Sequence, residues 1–334
     1  EFNQDYAEVY NNRGVVLQEL GYVERAVKSC DKAIQCRAGY SEAYYNRGIS
    51  LKNLGKLEES IDSYEQAVKF NPDFSLAHYN LGNAFRELGR GRKAVASYDK
   101  AIQINEDYAD AYSNLAITLK ELGQIDEAIN SSKKAVSIDP LNRFYWTVFA
   151  DVLQGIKLRS YSDDLGQCLL QILEQPTISP KDVSQTVISA LLHHPIVQHV
   201  QKSYECNSIE AEIDSLTHQL STVTLLVRIM ELSPVSDIKL EKIFTIMRKV
   251  MLFKVANRPG DIQGFPFYVT LAMHCFTNEY VFSDSSEERE QVEALQTQVM
   301  WAFKKGKAIA PILIAILGAY KPLSAFSWAH YLMG

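Results

Sequence analysis

Small and apolar residues recur through the first 140 positions at a fixed step of 34. Gly14, Gly48 and Gly82 stand one step apart, with Ala116 in the next place. Leu20–Gly21, Leu54–Gly55, Leu88–Gly89 and Leu122–Gly123 keep the same step, as do Ala33, Ala67, Ala101 and Ala135. A period of this size marks an array of stacked supersecondary units. The Leu-Gly dipeptide falls between two helical patterns, where glycine ends one helix and turns the chain into the next. Each unit therefore reads as a helix hairpin. The predicted pairs are 7–20 with 23–36, 41–54 with 57–70, 75–88 with 91–104, and 109–122 with 125–138.

The array fades after residue 140. A fifth first helix starts near Arg143, with Trp146, Ala150 and Leu153 in the packed places, but Val148 and Phe149 break the earlier pattern. The fifth second helix, SYSDDLGQCLLQILEQ, has lost the small residues. Solenoids end in atypical caps, and the apolar Val148 and Phe149 predict a cap covered by the segment that follows. That segment, 159–334, has no period but is still helical in pattern. Ser179–Pro180 offers an N-cap and an N1 proline. SDIKLEKIFTIMRKVMLF spaces Leu240, Ile243, Phe244, Ile246, Met247 and Met251 as a helix does. Ser285 and Glu288 make a capping box ahead of REQVEALQTQVMWAF, and 256–266 reads as a loop. No run alternates as a strand would, so the second half is expected to be a compact all-α domain.

The repeat resembles the tetratricopeptide family, whose unit is 34 residues long. Counted from Ala7, Ser41, Ser75 and Ala109, the family's small residue at position 8 is Gly14, Gly48, Gly82 and Ala116. Its small residue at position 20 is Ala26, Ser60, Ala94 and Ala128, and its alanine at position 27 is Ala33, Ala67, Ala101 and Ala135. Tyr10, Tyr44, His78 and Tyr112 stand where tryptophan is often found. The late proline survives only as Pro72 and Pro140, with Ala38 and Glu106 departing from it. The resemblance implies a right-handed α-solenoid of helix hairpins over 1–158, four full repeats and a partial fifth, followed by the helical domain at 159–334.

Turning each first helix by 100° per residue puts positions 4, 7, 8 and 11 on one arc and 2, 5, 6, 9 and 13 on the other. In the family the second arc lines the concave wall. Position 6 is asparagine every time: Asn12, Asn46, Asn80 and Asn114. Asparagine is a poorer helix former than alanine by roughly 0.5 kcal/mol, but its amide both donates and accepts, as a peptide backbone does. The row is similar to the asparagine ladder in the repeat domain of O-linked N-acetylglucosamine transferases. Two readings stand side by side: the amides hold an extended peptide, or they bond to the neighbouring repeat and stiffen the stack. Tyr45 and Tyr79 at position 5 join them on this arc, as do Ile49, Asn83 and Ile117 at position 9. Basic Lys52, Arg86 and Lys120 lie near its edge. The complete carboxylate clamp of chaperone-binding relatives is missing.

Composition narrows the partner rather than the fold. The net charge of −6 is spread evenly: residues 1–140 hold 17 basic and 21 acidic side chains, the remainder 17 and 19. No basic stripe forms, which argues against nucleic acid. The longest apolar run, at 308–320, is too short to span a bilayer and contains a proline. Cys30, Cys36, Cys168, Cys206 and Cys275 form no C-x-x-C pair, which fits a reduced, cytoplasmic protein. The chain opens EFNQ, with no methionine and no leader, and reads as a fragment.

Candidate chemistry is sparse. His194 and His199 are five residues apart and share no helix face with His193, and no zinc, P-loop or G-x-S-x-G spacing occurs. Cys275 near His274 and Glu279 reads as a core thiol. LEKIFTIMRKVMLF, FYVTLAMHCFTNEYVF and AILGAYKPL resemble the middle segment of bacterial chains that join tetratricopeptide repeats to an S-adenosylmethionine-dependent methyltransferase. No Gly-rich cofactor turn follows, so the resemblance implies kinship without activity. The expectation is a non-catalytic module, with no cofactor and no metal, that binds a protein or peptide on the inner wall. Its alternatives are the substrate-recruiting part of a repeat-linked methyltransferase and a chain that self-assembles through the ends of its solenoid.

Overall fold

The computed structural model describes residues 5–205, 209–233, 237–257 and 286–305, with positions 267, 269–271, 274, 313–314 and 317. Every regular element among these residues is a helix. The first eight are α1 (Asp5–Glu19), α2 (Val23–Cys36), α3 (Ser41–Asn53), α4 (Leu57–Phe70), α5 (Ser75–Glu87), α6 (Gly91–Ile104), α7 (Ala109–Glu121) and α8 (Ile125–Ile138). Their bounds match the expected hairpins to within one residue, except that α1 begins two residues early.

The chain divides into two compact units, Glu1–Val152 and Leu153–Gly334. In the first, α1, α3, α5 and α7 each pack on the even helix that follows, and α2, α4 and α6 each pack on the next odd one. The odd helices also touch one another in series, α1 on α3, α3 on α5 and α5 on α7, whereas the even helices make no comparable contact. Closer approach among the odd helices makes them the inner row of the solenoid.

Local chemistry explains the hairpins. Gly55 sits at φ +75°, in the left-handed region that only glycine adopts without strain. The Gly55 amide donates to the Lys52 carbonyl at 2.9 Å, and the Lys56 amide reaches back to Leu51 at 3.0 Å. This is the doubly bonded glycine cap that satisfies the last carbonyls of a helix. The same pair of bonds recurs at Gly21, Gly89 and Gly123.

Inside each hairpin the two helices meet at the small residue of position 8. A Cβ placed on Gly48 would lie 2.6 Å from the Tyr64 ring, and one on Gly82 2.6 Å from the Tyr98 ring. Both rings are fully buried, as are Ala26, Ala33, Ala67, Ala94, Ala101 and Ala128. The even helices can approach the odd ones closely only because these positions carry so little.

α9 (Arg143–Leu153) is the expected fifth first helix. Trp146, Val148 and Phe149 are buried, Phe149 completely, and the Trp146 indole donates to the Pro140 carbonyl at 2.8 Å.

The second unit contains α10 (Asp163–Leu173), α11 (Pro180–Leu192), α12 (Pro195–Glu205), α13 (Ile209–Ser221), α14 (Thr224–Leu232), α15 (Ile238–Asn257) and α16 (Ser286–Lys304). Leu169, Ile172, Val183, Val187, Leu191, Leu226 and Ile229 are fully or almost fully buried. Ser162 caps α10 by accepting from the Leu165 amide at 3.3 Å. Ser179 stands at the N-cap of α11 ahead of Pro180, but its side chain makes no capping bond. Glu288 lies in α16 and is buried. Its expected capping partner Ser285 falls outside the described residues, as do Cys206, Cys275, Glu279 and the stretches 258–266 and 278–282.

Candidate peptide-binding wall

The four asparagines stand on the inner helices α1, α3, α5 and α7, and three of them are half-buried. Each of those three donates to the preceding repeat. Asn46 Nδ2 bonds Asn11 Oδ1 at 2.9 Å. Asn80 Nδ2 bonds the Tyr45 hydroxyl at 3.1 Å and the Leu76 carbonyl at 3.1 Å. Asn114 Nδ2 bonds the Tyr79 hydroxyl and Asn83 Oδ1, both at 2.9 Å. The rule is position 5 of one repeat with position 6 of the next, 35 residues on. Asn12, on α1, is exposed. The series stops where Ser113 would meet Val148, and the buried Ser113 hydroxyl has no hydrogen-bond partner among the described residues.

The orientation of Asn80 follows from its partners. The Leu76 carbonyl can only accept, so the nitrogen must face it, and both hydrogens are then used inside the wall. The oxygens of Asn80 and Asn114 take no bond from the described residues. They form a short row of acceptors beside the Tyr45 and Tyr79 rings. Burial raises both phenols above the ordinary tyrosine range, so they stay neutral donors and acceptors. Tyr45 packs against Phe74 and Tyr79 against Tyr108, each at 4.9 Å between ring centres. The rings are thus fixed by the next repeat's entry residue as well as by the amide.

Ile49, Asn83 and Ile117 are half-buried on the same helices. Asn83 also accepts from the Tyr98 hydroxyl at 2.8 Å, tying the wall to the outer helix α6. The basic residues are spent on the joints. Lys52 pairs with Glu87 at 2.6 Å, and Lys120 with Asp151 at 2.8 Å. Arg86 is half-buried, and its Nε has no hydrogen-bond partner among the described residues. The wall therefore offers neutral acceptors and aromatic edges more than free positive charge.

Sequence reasoning placed these residues on one helix face but missed whom they meet. The signal was present: Asn11, Tyr45 and Tyr79 each precede a ladder asparagine by 35 residues. It also missed the Arg47 bridge, in which the guanidinium donates to Asp31 and to Ser63, both at 2.7 Å.

Other candidate groups are structural in their surroundings. His193 and His194 lie between α11 and α12. The His193 ring is 2.8 Å from the Ser189 carbonyl, and His194 accepts from the Ile196 amide. His274 is fully buried and packs edge-on to Phe244. Among the described residues no group of three or more His, Cys, Asp or Glu could hold a metal ion. Nor is any described helix long and apolar enough to cross a membrane. A recess of ≈ 680 Å³ between the second and third repeats is lined by Pro72, Asp73, His78 and Lys100.

Inner helices carrying a repeated polar row, outer helices packed through small residues, and glycine-capped turns together define an α-solenoid of helix hairpins. The matched stretches are tetratricopeptide repeats: a model described as TPR repeat matches 50–89 and 82–123, and one described as tetratricopeptide repeat matches 7–38 and 109–140. Among solved structures, MamA of Desulfovibrio magneticus RS-1 is 22% identical over 44% of this chain and 84% of its own, with a TM-score of 0.42. YrrB, described as a TPR protein with an unusual peptide-binding site, is 22% identical over 50% of this chain and 86% of its own, with a TM-score of 0.43. The first repeat domain of Spaghetti (RPAP3), bound to an HSP90 peptide, is 20% identical over 34% of this chain and 89% of its own, with a TM-score of 0.33. A search of curated protein sequences gives no match.

Proposed function

We propose that the inner wall of the repeats binds an extended peptide as a non-catalytic recognition surface. The observation that carries this reading is the row of ladder amides whose nitrogens are bonded within the wall while the oxygens of Asn80 and Asn114 accept nothing from the described residues. A half-buried acceptor without a donor costs free energy unless water or a ligand supplies one. Peptide N–H groups are suitable donors, and the neighbouring Tyr45, Tyr79, Ile49 and Ile117 supply apolar contact between them. Asn46 and Asn12 extend the row toward the first repeat, Asn83 stands beside Asn80 one turn along α5, and Lys52, Arg86 and Lys120 border it. The ladder then has two duties, with the nitrogen holding the repeat joint and the oxygen facing the ligand.

The two duties separate experimentally. Peptides selected from a random display library on the purified chain would be titrated against Asn80→Ala/Asn114→Ala and Asn80→Asp/Asn114→Asp variants. Aspartate keeps the ligand-facing acceptor and lets the Tyr45 and Tyr79 hydroxyls donate to its second oxygen, at the cost of the bond to the Leu76 carbonyl. Alanine removes both functions. Affinity should fall by about 1–3 kcal/mol for the alanine pair, the sum of two net hydrogen bonds, and hold for the aspartate pair. Equal affinity for all three proteins would assign the asparagines to the stack alone. The resemblance of the second half to methyltransferase-linked chains has no comparable observation behind it, because NEYVF at 278–282 lies outside the described residues.

A further inference from the structure

The recess of ≈ 680 Å³ between the second and third repeats falls within the size of small-molecule sites, about 300–1,000 Å³. The sequence explains why it is there. The first, second and fourth repeats carry a six-membered ring at position 4, position 30 or both: Tyr10, Tyr44 with Phe70, and Tyr112. The third has His78 and Ile104 instead. In the second repeat Tyr44 and Phe70 stack at 5.6 Å between ring centres. A Cβ placed on Gly39 would lie 3.4 Å from the same Phe70 ring, so that ring closes the place. In the third repeat Asp73 stands where Gly39 does and Ile104 where Phe70 does, and both line the recess.

α9 shows what the place of His78 can hold. There Trp146 stands at position 4, and its indole Nε1 donates to the Pro140 carbonyl at 2.8 Å. His78 Nε2 lies 3.0 Å from the Pro72 carbonyl, again six residues back. A carbonyl only accepts, so the proton sits on Nε2 and leaves Nδ1 bare in the neutral ring. Burial keeps the ring neutral by holding its pKa below the ordinary histidine value. Nδ1 has no hydrogen-bond partner among the described residues. His78 thus reproduces the bond of the indole's five-membered ring and lacks the fused six-membered one. The missing ring sets the shape of an occupant, and the bare nitrogen calls for a donor on it.

The charges narrow the occupant further. Val68, Pro72 and Ile104 give the recess an apolar wall, and Asp73 and Lys100 line it with opposite charges. Neither makes an ion pair among the described residues. Lys100 Nζ donates to Gln103 Oε1 at 3.0 Å, which uses one of its three hydrogens. An aromatic side chain within a polypeptide brings no charge of its own backbone to meet them, whereas a free amino acid brings both signs. We infer that the recess is a second binding site, using none of the inner-wall residues, and that it takes a free aromatic amino acid. The ring lies against His78 and Ile104 with its N–H or O–H donating to His78 Nδ1. The carboxylate faces Lys100 and the ammonium faces Asp73.

The probe is L-tryptophan, titrated calorimetrically into the full chain. Saturable binding at one site is expected. Two analogues isolate the contacts: N-acetyl-tryptophanamide keeps the ring without either charge, and ring-N-methylated tryptophan keeps the charges without the ring donor. Each should bind at least tenfold more weakly. His78→Trp fills the recess from within, with the residue that α9 carries at this place, and should remove binding. Lys100→Gln changes an exposed side chain; it should weaken tryptophan and leave N-acetyl-tryptophanamide unchanged, a result that holds even if the His78 variant fails to fold. No saturation at millimolar tryptophan overturns the proposal, as does undiminished binding to a folded His78→Trp protein. N-acetyl-tryptophanamide binding as tightly as tryptophan also overturns it, because the ring would then belong to a polypeptide side chain. Equal binding of the ring-methylated form would remove His78 Nδ1 as the acceptor and overturn it too.

Discussion

Gly82→Ala is the smallest change that tests how the hairpins are held together. The added methyl would sit 2.6 Å from Tyr98 Cε1, 2.7 Å from Cδ1 and 3.0 Å from Cζ. The ring cannot swing away freely, because Tyr98 is fully buried and its hydroxyl donates to Asn83 at 2.8 Å. Overpacking of this kind costs about 1–3 kcal/mol, and losing the hydroxyl bond adds roughly 0.5–1.5 kcal/mol. Against this, alanine is the better helix former by about 0.8–1 kcal/mol. The net expectation is a loss of about 1–3 kcal/mol. The fourth hairpin shows the compensated state, with Ala116 at position 8 and the small Ser132 where Tyr98 stands. Tyr98→Ser alone should therefore cost about 3–5 kcal/mol by leaving a cavity, and adding Gly82→Ala to it should cost nothing or restore stability. The sign of the glycine substitution reverses with its partner. Because the chain has two units and need not unfold in one step, the readout is native-state hydrogen exchange of the α5 and α6 amides. A Gly82→Ala protein whose α5 amides are as protected as the wild type, or better protected, would refute the packing argument.

Other consequences follow the same logic. Burial holds His78, His194 and His274 below the ordinary histidine value of 6.5. The folded chain then binds fewer protons than the unfolded one just below that pH, and stability falls on acidification from pH 7 toward 5. His78→Tyr, which restores the residue of the other full repeats, should flatten this decline in urea melts at the two pH values, and an unchanged slope would exclude His78 as a contributor. Burial also pushes the Cys30 thiol up to about 12, so it should resist a thiol reagent at pH 8 in the native chain and react only on unfolding. Phe149→Ala should cost about 3–5 kcal/mol by emptying a fully buried aromatic site; a loss below about 1 kcal/mol in chemical denaturation would contradict that burial. Asn46→Ala and Asn80→Ala should each lower stability by up to about 1 kcal/mol, the lost inter-repeat bond of roughly 0.5–1.5 kcal/mol less about 0.5 kcal/mol of helix propensity. Helix propensity alone would have predicted the opposite sign.

The hairpins were legible because their causes are local. A glycine that must take positive φ, and an alanine that must let two helices touch, constrain single positions, and the 34-residue step repeats those constraints. The fifth helix was less legible for the same reason. Its closing glycine, Gly155 at φ +73°, comes 32 residues after Gly123 rather than 34, so it fell out of the count. The wall was legible only as a face. A helical projection gives the direction of Asn80 but not the hydroxyl it meets, because Tyr45 lies on another turn of the solenoid. Lys52 and Lys120 looked available for a ligand until Glu87 and Asp151 were seen beside them. Each of these partners is 31 or 35 residues away, close to one repeat.

That separation is itself the lesson of the pairs. Position 8 varies with position 24: glycine faces tyrosine twice, glycine faces cysteine at Gly14 and Cys30, and alanine faces serine at Ala116 and Ser132. Position 5 varies with position 6 of the next repeat in the same manner. Asparagine or tyrosine meets asparagine along the array, and serine meets valine where it ends. Residues that must share a fixed volume, or a fixed number of hydrogen-bonding groups, cannot change one at a time without cost. A repeat protein displays such couplings within a single chain, because each copy is a separate solution to the same joint. Applied to position 7, the argument gives Arg47 its Asp31, and Leu81 and Leu115 their apolar seams.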